Sequence, residues 1–76
     1  MSGGAKHDEQ FLPRVQLSPA ELTTLWRARL DAGIGMRRLA RQIGVTVTAF
    51  NNYESGARKV PEEVLLRWRA ALDGEQ

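Results

Sequence analysis

An all-α domain of four short helices is the fold class this sequence predicts, on three observations. Apolar residues recur at three- and four-residue spacing in four separate stretches. Ser18-Pro19, Thr46 and Pro61 open three of these stretches, and Gly33, Gly44, Gly56 and Gly74 close all four, as capped helices require. Short connections join the four helices, and no strand is credible between them.

The first helix begins at Ser18 as N-cap, with Pro19 at the first helical position and Glu21 placed to complete a capping box. Leu17 and Leu22 flank that cap at hydrophobic-staple spacing. Leu22, Leu25, Trp26 and Leu30 then predict one buried stripe, ended by Gly33 in the left-handed conformation. The second helix is predicted over 36–43, with Met36, Leu39, Ala40 and Ile43 inward and Arg37, Arg38 and Arg41 outward. Gly44 ends it, because a sharp turn between two packed helices needs a positive φ. The third helix is predicted over 46–54. Thr46 caps it, Val45 and Phe50 stand at staple spacing, and Phe50 and Tyr53 point to the core with Ala49 beside them. After a loop over 57–60, Pro61 opens a fourth helix with Glu62 and Glu63 in its first turn. Val64, Leu65, Trp68, Ala71 and Leu72 form its apolar stripe.

Size and composition limit what such a chain does. With 76 residues there is one domain, and a chain near this size buries only about 60% of its unfolded surface, so each apolar position counts. Residues 1–16 read as a mobile N-terminal arm and residues 17–74 as the folded domain, with Phe11, Leu12, Val15 and Leu17 available to fold back and Pro13 excluding a helix there. The absence of cysteine removes disulfides and thiolate metal sites, which fits a cytoplasmic setting. No apolar run is long enough for a signal peptide or a membrane span, so no membrane partner is expected. His7 is a lone residue in the arm, and no Ser/His/Asp set, carboxylate pair or phosphate-binding glycine loop is present. Neither an enzyme, a metal site nor a cofactor is expected.

Charge is distributed unevenly. Between Arg27 and Lys59 stand seven cations (Arg27, Arg29, Arg37, Arg38, Arg41, Arg58, Lys59) and two anions (Asp31, Glu54), a net +5. The flanks hold four cations and seven anions, a net −3. A basic centre with acidic ends suits a polyanion, although a solvated mixed-charge surface has the same composition.

The stretch from Met36 to Glu54, two short helices joined at Gly44, has the pattern of a helix-turn-helix. An exposed helical face is ordinarily built from Glu, Lys, Gln, Arg and Ala, which favour the helix. Here the outer side of the third helix carries Val47, Thr48, Asn51 and Asn52, all mediocre helix formers. Asparagine bonds bidentately to the adenine N6/N7 edge, and Val and Thr methyls suit the thymine methyl. Over 47–54 the helix is about 12 Å long, comparable to the major-groove width of about 12 Å.

The span from Leu22 to Leu72 resembles the Cro/C1-type helix-turn-helix domain of phage repressors and bacterial regulators of the xenobiotic-response-element class. The matching positions are Leu39-Ala40, Ile43-Gly44-Val45, Phe50, Tyr53-Glu54, Gly56 and Pro61, and the resemblance covers about fifty of the 76 residues. The resemblance implies a lambda-repressor-like fold of four helices, to which many members add a fifth. It also implies an ion pair between Glu54 and Arg29 that sets the angle between helices one and three. The spacing of Arg29 beside Leu22 and Trp26 favours such a pair independently. Base reading falls by resemblance on Val47, Thr48 and Asn52, with Asn51 nearby. Phosphate contacts fall on the backbone at Gly35, Met36 and Thr46, where helix N-termini present N–H groups, and on Ser55, Arg58 and Lys59. Arg37 joins them, with Arg38 and Arg41 as further candidates. Gly35 and Met36 depart from the polar cap and glutamine that often begin the second helix in this family. Trp26 and Trp68, set within apolar stripes, read as core or interface residues rather than nucleotide-stacking platforms.

The function expected is that of a sequence-specific, double-stranded DNA-binding regulator, a small bacterial or phage repressor or autoregulator associated with the nucleoid. It would act as a homodimer on an inverted-repeat operator, regulated by concentration, proteolysis or a partner. The alternative is a protein-interaction module of the same fold, such as an antitoxin or adaptor that binds a protein partner.

Overall fold

The computed structural model describes residues 13–74. Phe11, Leu12, His7 and the rest of the predicted arm up to residue 12 lie outside the described residues. Along the chain stand β1 (Arg14–Val15), α1 (Pro19–Ala32), α2 (Met36–Ile43), α3 (Val47–Ser55), β2 (Val60–Pro61) and α4 (Glu62–Gly74). The domain is mostly helical, with four helices at the predicted places and one small addition.

That addition corrects the expectation that no strand forms. Arg14 and Val15 pair antiparallel with Pro61 and Val60, and the Glu62 N–H donates to the Pro13 carbonyl at 3.1 Å. Residues assigned to a mobile arm are thus tied to the start of α4. Two residues per strand are too few for alternation to be read from the sequence. Pro13 and Pro61 also lack the N–H groups that would extend the ladder. Pro61 consequently belongs to the ribbon, and α4 begins one residue later, with Glu62 and Glu63 in its first turn.

The start of α1 is a complete capping box. Ser18 Oγ accepts the Glu21 N–H at 3.1 Å, and the Glu21 carboxylate accepts the Ser18 N–H at 2.8 Å. Two N–H groups that a helix start leaves without partners are thereby satisfied. The Ser18 backbone N–H and hydroxyl, with Arg69 3.9 Å away, hold the Glu21 carboxyl below the usual glutamate range. A depressed carboxyl pKa contributes stability that is present above the unfolded value of about 4.3 and is lost as pH falls through the folded value. Acid titration followed by circular dichroism should therefore destabilise Glu21→Gln less steeply below about pH 4.3 than the parent chain. Identical acid limbs would contradict a charged box.

The buried face of α1 differs from the predicted stripe. Leu25 and Arg29 are buried and Leu22, Ala28 and Ala32 partly so, whereas Trp26 and Leu30 are 45% and 49% exposed. At about 100° per residue, Leu22, Leu25 and Arg29 share an arc of ~60°, while Trp26 and Leu30 lie ~100° and ~140° from Leu25. The apolar spacing admits either face. Arg29, held inside by a carboxylate, decides which one turns inward, and Trp26 is left on the surface.

Trp68 and Phe50 form the centre of the core. Both are 0% exposed, and their rings meet edge to face with centroids 4.9 Å apart. Leu17, Leu39, Ile43, Val60, Leu65 and Leu72 close around them, and α1 and α2 each pack against both α3 and α4. Gly56, at φ 84°, ends α3 where α1 passes closely. The backbone angle demands glycine there, and a Cβ would stand 2.7 Å from Leu22 Cδ1, so the tip of that side chain would also have to shift.

Candidate nucleic-acid interface

Residues 44–46 join α2 to α3 in a tight turn. Gly44 adopts φ 78°, the Val45 N–H donates to the Ala40 carbonyl at 3.0 Å, and Thr46 Oγ accepts the Ala49 N–H at 3.0 Å. Gly44 therefore turns the chain without strain, and Thr46 caps α3 from outside its first turn. Phe50 anchors the helix from behind, with Ala49 and Tyr53 partly buried on the same side.

Two arginines hold this pair of helices. Arg29, on α1, donates Nε to Glu54 at 2.7 Å and Nη2 to the other carboxylate oxygen at 3.1 Å. Its Nη1 donates to the Ile34 carbonyl, just before α2, at 3.0 Å. One planar guanidinium thus joins α1, the end of α3 and the turn that leads into α2. The side chains of the pair are 10% and 8% exposed, so the charges are desolvated and matched. Arg67, on α4, donates Nε to the Ile43 carbonyl at 3.1 Å and so satisfies an end of α2 that has no side-chain partner of its own. In the sequence, Arg67 counts only among the charges of the acidic flank. The signal available was the short α2, whose last carbonyls need outside donors.

What remains facing out on α3 is a strip of small uncharged side chains. Val47, Thr48, Asn51 and Ser55 are exposed and Asn52 is half-buried. At about 100° per residue these five positions fill one arc of ~140°. Among the described residues, the Thr48 hydroxyl and the Asn51 and Asn52 amides engage in no intramolecular hydrogen bond. The Asn52 carbonyl, by contrast, accepts from Ser55 Oγ at 3.3 Å and from the Arg58 N–H at 3.2 Å. Asn52 therefore has a fixed backbone and a side chain with its full bonding capacity unused. Ser55 Oγ also accepts the Ala57 N–H at 3.4 Å, so its hydroxyl shapes the turn that carries Arg58 and Lys59.

Three further predicted contact positions lie at the start of α2. Gly35 caps α2 with no side-chain hydrogen bond, Met36 is partly buried, and Arg37 is exposed at the start of that helix. Arg29 and Glu54 neutralise each other. The segment 27–59 keeps six exposed cations (Arg27, Arg37, Arg38, Arg41, Arg58, Lys59) against one exposed anion, Asp31. Its positive charge is carried entirely at the surface.

Comparison of the chain with protein-family models, with curated proteins and with solved structures finds no match. Among the described residues no helix is long and apolar enough to cross a membrane.

Proposed function

We propose that this chain is a sequence-specific double-stranded DNA-binding regulator of the Cro/C1 type. In this reading α2 and α3 are its helix-turn-helix, and α3 lies in the major groove. The observation that carries the reading is the outer strip of α3. Hydrogen-bonding side chains with unspent capacity and poor helix propensity stand on a helix that is capped, anchored and ion-paired from behind. A helix built only for stability places Glu, Lys or Ala at such positions. Base edges are the partners that such side chains match, whereas phosphates are met by the surrounding N–H groups and cations. The exposed charge of the segment 27–59 supplies the non-specific attraction to a duplex.

The regulator acts as a homodimer on an inverted repeat, with half-sites about 10 bp or a small multiple apart, and represses by covering a promoter. Selection of bound duplexes from a random-sequence pool tests binding, symmetry and spacing together. Affinity for the selected duplex should fall with salt at a slope of about −0.9 for each phosphate contact. A flat salt response, or no enrichment of any duplex, would favour a protein partner instead.

Two substitutions separate reading from positioning. Asn52→Ala should cost about 1–3 kcal/mol on the selected site and flatten preference among sequences. Unchanged preference in a competition assay would remove Asn52 from the readout. Arg58→Ala should weaken all duplexes about equally and reduce the salt slope by about one. A loss confined to one sequence would contradict a backbone role.

A further inference from the structure

Every side chain on the readout strip is uncharged, and this restricts the bases it can recognise. Guanine is read mainly by Arg or Lys bidentate to O6 and N7, and the cytosine amino group by Glu or Asp. α3 holds one ionisable acid, Glu54, and the structure withdraws it: both carboxylate oxygens are bound by Arg29. No Lys or Arg occurs between Val47 and Ser55. The strip keeps two free carboxamides, at Asn51 and Asn52, and the methyl groups of Val47 and Thr48. A carboxamide offers one donor and one acceptor side by side, the complement of adenine N7 and N6, and the methyls match the thymine C5-methyl.

Resting on the DNA-binding reading above, we infer that the base pairs beneath α3 are A·T pairs, read through adenine N7/N6 by Asn51 and Asn52 and through thymine methyls by Val47 and Thr48. The cations that follow α3 in the chain, Arg58 and Lys59, come after the turn closed by the Asn52 carbonyl and Arg58 N–H bond. They sit beyond the end of the helix and serve the flanking backbone.

The test uses the full chain and the half-site selected from a random duplex pool. That half-site should carry A·T pairs at its most constrained positions. Replacing its thymines by deoxyuridine removes only the methyl groups and should weaken binding about fourfold for each methyl in contact. Replacing a contacted adenine by 7-deazaadenine removes the N7 acceptor and should weaken binding about fivefold. The salt slope should not change, since every phosphate is retained. Selected half-sites with G·C at the constrained positions, bound with a steep salt slope and indifferent to uracil, would overturn the A·T assignment and leave DNA binding standing. Failure of any duplex to be enriched would overturn both.

Discussion

Glu54→Ala should lower the stability of this domain by about 3–5 kcal/mol, because it strands a buried guanidinium. Arg29 keeps only the Ile34 carbonyl once the carboxylate is gone, in a site from which water is almost excluded. The converse change, Arg29→Ala, strands the carboxylate and frees the Ile34 carbonyl, so it should cost at least as much. Domains of this kind have about 5–15 kcal/mol in total, and either substitution consumes much of that. Replacing both partners by apolar residues of similar volume, Arg29→Met with Glu54→Leu, should recover most of the loss, since no charge then remains buried. Denaturant unfolding measures all three variants. A double variant as unstable as the singles would mean that the cost lies in packing rather than in an unmatched charge. If the proposed function holds, the double variant should still bind the selected duplex more weakly than the parent, because the bidentate bond between α1 and α3 is absent.

Phe50→Ala should cost about 3–5 kcal/mol, as large-to-small changes at fully enclosed aromatic positions do. Phe50 lies on the inner side of α3 and meets Trp68 of α4 edge to face, so its removal opens a void between two helices and forfeits the aromatic contact. The Trp68 indole N–H has no acceptor among the described residues, so Trp68 enters the core as an apolar body and depends on such contacts. Thr48→Ala, at an exposed position about 160° around the same helix, should change stability by no more than about 0.5 kcal/mol. Similar losses at the two positions, measured by thermal or denaturant unfolding, would contradict the division of α3 into an inner anchor and an outer strip.

The four helices, and the caps at Ser18, Gly33, Gly44, Thr46 and Gly56, were legible because they depend on local rules. Ser18 with Glu21, Thr46, and the glycines at 33, 44 and 56 each announce a helix end through hydrogen-bonding capacity or a positive φ, and each stands where that chemistry predicts. The failures occurred where distant residues decide. Which side of α1 turns inward depends on Glu54, twenty-five residues on, and the periodicity of Leu22, Trp26 and Leu30 says nothing of it. The β1–β2 ribbon joins residues 14–15 to 60–61 across α1, α2 and α3 and is too short to leave a pattern. Arg67 looked like a surface charge because its partner is a backbone carbonyl, a group that every residue possesses. The side of α3 that faces solvent was legible, since Phe50 and Tyr53 mark its inner side. That its amides are unspent required the surrounding hydrogen bonds.

The most direct test of the claim that α3 meets bases is an NMR titration of the labelled protein with its selected duplex. The side-chain amide signals of Asn51 and Asn52 and the backbone signals of residues 46–52 should move most, with smaller changes at Gly35, Met36, Arg58 and Lys59. Changes centred on the exposed Trp26 and Leu30 of α1, with the two asparagine amides unmoved, would contradict it.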